Sequence, residues 1–197
     1  RIMMRRLGVF RRFVASTRGV AAIEFAIIMP VLLIMLLTTF DAGRAIAIYM
    51  KVRAATYTLA AITNQYSMSA PIQSTDMTAI TGATAAVLAP YPSAPAAVTI
   101  TQVKQTTSSQ ATVNWSYSLN GTAYAASTTW ARIPTGLTTS NACNSYPCYL
   151  IFAEVQYTFT PSFGYFIVGT LNFSDNLYAT PRSSTCIPYV PVTGTTC

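Results

Sequence analysis

One uninterrupted apolar run dominates the hydrophobic pattern of this chain. Val20 to Phe40 contains a single charged side chain, Glu24. As a helix this run measures about 32 Å at about 1.5 Å per residue, close to the hydrocarbon thickness of a bilayer, about 30 Å. From Asp41 the pattern becomes one-sided. Ile48, Val52, Ala55, Leu59, Ile62 and Tyr66 recur at alternating steps of four and three, the stripe of an amphipathic helix continuing the first. Asp41 and Arg44 stand one turn apart where that helix leaves the apolar run and can pair. Ser69-Ala-Pro71 stops it. Ser74-Thr-Asp76 offers an N-cap for a second, short helix through Ile80, Val87 and Leu88, closed by the proline-rich stretch Ala89–Pro95.

The period then changes from helical to alternating. Val98–Val103 and Ala111–Leu119 read as strands, with Val113, Trp115, Tyr117 and Leu119 expected on one face. Asn120-Gly121 is a hairpin signal, with a return strand expected near Thr122–Ala126. Tyr149–Thr160 and Leu171–Thr180 read as two further strands. The expected fold is α+β: a long N-terminal transmembrane and amphipathic helix, a short second helix and a small antiparallel sheet. The divisions are a basic leader at 1–19, a transmembrane segment at 20–40, its helical continuation at 41–68, a short helix and connector at 69–97, an antiparallel β domain at 98–182 and a cysteine-bearing tail at 183–197.

Charge sharpens the reading of the leader. The net charge of +7 invites a nucleic-acid partner, but six of the twelve basic residues precede Gly19. The other six face five acids, so the rest is almost neutral and no nucleic-acid surface is expected. A basic flank beside an apolar run stays cytoplasmic, which places the C-terminal region outside. Pro30 removes the N–H that would bond the Ala26 carbonyl and predicts a kink in the span.

Glu24 has two readings. Near the start of the span it can sit at the interface, favoured by the helix dipole. Deeper in the membrane, a carboxylate costs about 2.5–3.5 kcal/mol on insertion scales and calls for a cation. No cation lies nearby in the span. Cutting between Gly19 and Val20 would create one, the amine of Val20, protonated at neutral pH with a pKa of about 7.7–8.0.

Arg18-Gly19-Val20-Ala-Ala-Ile-Glu24-Phe25 followed by the apolar run resembles the prepilin signal of type IV-like pilus systems. More closely, it resembles the TadE-like minor pseudopilins of Tad (tight adherence) pili. The resemblance implies a prepilin peptidase that cuts after Gly19, Val20 as the new N-terminus, and Glu24 as the glutamate serving processing and assembly. Phe25 stands where major Tad pilins commonly carry tyrosine. Val155–Pro161, Gly169–Ser174 and Tyr178–Arg182 also look like the C-terminal part of such proteins; Ser183–Cys197 departs from the pattern. The implied partners are the peptidase, other pilin and pseudopilin subunits, and the bacterial inner membrane. The implied function is to initiate, cap or regulate assembly of a pilus used for adherence. The alternative is an uncleaved, membrane-anchored periplasmic module that binds a partner or glycan.

The remaining chemistry is sparse. There is no histidine, which removes the commonest general base and metal ligand. No catalytic constellation, cofactor site or metal site is expected. Cys143, Cys148, Cys186 and Cys197 allow three disulfide connectivities, with the two local pairs favoured. A four-thiolate zinc site is the alternative, although the usual short C-x-x-C spacings are missing.

Overall fold

The computed structural model describes residues 17–134 and 145–191. Helix α1 runs unbroken from Thr17 to Thr63 with Pro30 inside it. It ends before the expected limit at 68. There the Thr63 hydroxyl donates to the Leu59 carbonyl, and the Gln65 and Tyr66 amides close three-residue turns on Ile62 and Thr63. Such tightened turns use up the terminal carbonyls and stop the helix. Helix α2 spans Ser74–Leu88. Its cap is Gln73, one residue before the expected serine. The Gln73 N–H donates to Asp76 Oδ2 at 2.8 Å, the backward half of a capping box.

Four strands follow: β1 (Ala96–Gln105), β2 (Ala111–Leu119), β3 (Cys148–Phe159) and, after the short helix α3 (Tyr165–Val168), β4 (Leu171–Ala179). They form one sheet in the order β2-β1-β3-β4, and every pair is antiparallel. The architecture is α+β, as the change of period predicts.

Two compact units emerge: α1 up to Arg44 with Pro161–Gly169, and Ala45–Thr160 with Thr170 onward. In the larger unit the main core lies on one sheet face. Ile48, Val52, Ala55 and Leu59 of α1 and Met77, Ile80 and Leu88 of α2 meet Val98, Ile100, Trp115, Ile151, Ala153 and Val155. The predicted stripe is therefore the packing face, with Ile62 and Tyr66 at its margin.

The opposite sheet face carries a second cluster of Val103, Ala111, Val113, Trp130 and Phe152. This corrects the expectation that Val113 shares a face with Trp115. Gln102 pairs with Trp115 but Val103 with Val113, so Asn114 is an extra residue on β2. A bulge of this kind reverses the alternation beyond it. The expected return strand at 122–126 is also absent. At Gly121 the chain passes close to β2, and a Cβ there would meet Ser118 Oγ at 2.7 Å and have to displace that hydroxyl. The chain pairs only later: the Ser127 N–H donates to Val113 O at 2.8 Å and the Trp130 N–H to Ala111 O at 2.8 Å. These bonds cover part of the outer edge of β2.

The tail up to Pro191 packs on the core. Ile187 and Tyr189 are buried in the main core. The Ile72 amide donates to Pro188 O and the Val190 amide to Ile72 O. Trp115 Nε1–H donates to Ile187 O at 2.8 Å, and the Trp115 and Tyr189 rings lie 5.5 Å apart.

Candidate membrane and assembly segment

Between Val20 and Phe40, α1 is apolar around its circumference. Val20, Ile23, Phe25, Ile27, Ile28 and the large side chains through Leu36 are all exposed, Phe25 by 66%. A helix that is hydrophobic on every side belongs in a bilayer or against other helices rather than in water. From Gly19 the helix is long and apolar enough to cross a membrane, as single-pass anchoring requires. Near its far end the Thr38 and Thr39 hydroxyls are satisfied locally, donating to the carbonyls of Ile34 and Met35.

Gly19 and Val20 lie in the opening turn of α1, where helix ends fray. Glu24 and Phe25 follow, both exposed. Glu24 is one turn beyond Val20, and residues four apart share a helix face. The segment thus presents Val20 and Glu24 side by side. No described side chain makes a hydrogen bond or ion pair with Glu24. Pro30 lies farther along the same exposed surface.

At the end of the apolar run Asp41 is buried, at 4% exposure. Its carboxylate accepts the N–H groups of Phe163 at 2.7 Å, Gly164 at 2.8 Å and Ser162 at 3.3 Å. These amides open onto α3, so the carboxylate faces the N-terminus of that short helix. Burial pushes the Asp41 pKa up. The bonds from Gly164, Phe163 and Ser162, helped by the charge of Arg44, outweigh it and hold the carboxyl below its ordinary value. Local pairing of Asp41 with Arg44 therefore understates its role. Arg44 Nη1 donates to Ser162 Oγ at 2.9 Å, and its guanidinium lies 5.9 Å from the centre of the Phe40 ring. The only sequence signal for the clip was an acid placed directly after the apolar run.

Sequence reasoning also missed a network on the second sheet face. Arg132 Nη2 donates to Glu154 Oε1 at 3.1 Å, and Arg132 Nη1 to Tyr124 Oη at 2.6 Å. Tyr124 Oη donates to Glu154 Oε2, and Trp130 Nε1 to Tyr178 Oη. The guanidinium stands 5.1 Å from the Phe152 ring centre. Burial, with the Arg132 and Trp130 contacts working against it, leaves the Tyr178 pKa raised. The donors and acceptors satisfy one another, so the cluster serves to hold the 124–132 segment on the sheet.

Neither described cysteine is free. Cys148 opens β3, and Cys186 is fully buried, its Sγ 3.6 Å from Gln102 Oε1. Cys143 and Cys197, and with them the choice of connectivity, lie outside the described residues. So does most of the leader, 1–16.

No curated protein and no solved structure matches the chain. A family does match, and its match begins at the glycine before the apolar run, covers Glu24 and the clip residue Asp41, and stops before α2. Residues 19–61 fit the family model described as TadE-like protein, so the likeness is confined to this helix.

Proposed function

We propose that the chain is a minor pseudopilin of a Tad-type pilus, helping to initiate, cap or regulate assembly of a fibre used for adherence. It is a structural subunit rather than an enzyme. A prepilin peptidase cuts between Gly19 and Val20. The leader stays in the cytoplasm, the helix spans the inner membrane, and the sheet domain is periplasmic. The helix bundles with those of other pilin and pseudopilin subunits, Phe25 contributes to that contact, and Pro30 bends the span. Local disulfides, Cys143–Cys148 and Cys186–Cys197, shape the loop and the tail.

The observation that carries this reading is the placement of Glu24 one turn after Val20 on an uncovered apolar helix inside the TadE-like match. An uncompensated carboxylate in lipid is costly. The amine released by cutting is the cation that offsets it, in the same chain or in a neighbouring subunit.

Glu24→Ala tests this. The variant is expected to insert into membranes as the parent does and to lose pilus assembly. Normal piliation would remove Glu24 from the assembly role.

The length and apolarity of α1 suit one competing reading equally well, an uncleaved anchor carrying a periplasmic binding domain. It predicts an intact leader in the mature protein.

A further inference from the structure

Where the apolar run of α1 ends, a second apolar feature begins. Phe163, Tyr165 and Val168 are 52%, 48% and 52% exposed, on the segment that links β3 to β4. Phe163 packs edge-on against Phe40, ring centres 6.4 Å apart. The segment belongs to the same compact unit as the apolar half of α1, and Asp41 clips it there through three backbone bonds. Gly169, at φ +71°, lets the chain leave α3 for β4 by a left-handed turn that a side chain would strain.

We infer that residues 162–168 form an aromatic foot that rests in the lipid–water interface beside the exit of α1. The inference rests on the membrane-anchor reading of that helix. Continuity identifies the occupant. Phe40, the last residue of the apolar run, is itself exposed and touches Phe163, so the foot extends the lipid-facing surface sideways at one depth. That depth is the interface rather than the hydrocarbon, because Asp41 and Arg44 stand within one turn and ionised groups are costly deeper in the membrane. Its chemistry suits the place. The phenol of Tyr165 is of the kind that concentrates at headgroup level. Backbone near lipid must have its N–H groups satisfied, and Asp41 does this for three consecutive ones. Arg44 holds Ser162 and covers the Phe40 ring, keeping a cation at the level of lipid phosphates.

The test uses the full chain in phosphatidylcholine vesicles whose acyl chains carry bromine at shallow or deep positions. Phe163→Trp and, independently, Val168→Trp report the foot, and Ile34→Trp reports the span. Trp115 and Trp130 are buried and give a background subtracted with the parent chain. The expected result is loss of the added fluorescence from Trp at 163 and 168 with shallow bromine, and from Trp at 34 with deep bromine. Adding Asp41→Asn should abolish quenching at 163 and leave it at 34. Quenching at 34 with none at 163 or 168 would overturn the foot while the anchor stands. A blue shift at 163 that appears only at high protein density and ignores bromine would overturn it in favour of a second copy. Absence of quenching at all three positions would overturn the anchor reading as well.

Discussion

Asp41 Oδ2 accepts the backbone N–H of Phe163 at 2.7 Å across 122 residues of sequence. A carboxylate that accepts several amides is a charge-assisted acceptor, stronger than a neutral one. Asp41→Asn should therefore release the 162–164 backbone without altering the sheet. Hydrogen exchange is expected to quicken at Phe163 and Gly164 and to stay unchanged in β1 and β3. Unchanged exchange at 163 and 164 would show that the segment holds itself in place.

The same contact sets a pH dependence. The Asp41 pKa is lower in the folded chain than its ordinary 3.8. The stabilisation is therefore fully present above the unfolded value and is lost as pH falls through the folded one. Amide shifts of Phe163 and Gly164 should hold constant from neutral pH down to about 4 and move only in stronger acid. In Asp41→Asn this transition should vanish.

The tail is predicted to carry stability. Ile187 is fully buried and its carbonyl accepts from Trp115. Ile187→Ala should cost about 2–5 kcal/mol in denaturant unfolding, the range for truncating a buried aliphatic side chain. Trp115 fluorescence is the natural readout. A loss well under 1 kcal/mol, on the order of a surface change, would mean the tail is an accessory.

Glu154 is almost fully buried while Arg132 is about half exposed. Removing the cation should hurt more than removing both charges, because it leaves a buried carboxylate without its counter-ion. Arg132→Ala is expected to cost on the order of 1–3 kcal/mol, and Glu154→Gln added to it should recover part of that loss. Strict additivity in the double-mutant cycle would deny the coupling.

Which of these features could be read from the chain follows from the range of the interactions. The stripe Ile48-Val52-Ala55-Leu59 was legible because helical spacing alone puts those side chains on one face. The strands were legible from their alternation. Val113 was misplaced because a single extra residue, Asn114, reverses the alternation, and nothing in the local sequence marks it. The partner of Asp41 and the burial of Ile187 depend on residues far away in the chain. That Val20 and Glu24 share one helix face was legible because four residues make about one helical turn.

That turn is also where the functional account is most exposed to test. Mass spectrometry of the mature protein, from cells with an active prepilin peptidase, reads its N-terminus directly. The account predicts a chain that begins at Val20, with the new amine four positions from Glu24. A mature chain that keeps Arg18 and Gly19 would contradict it and leave an uncleaved membrane anchor in its place.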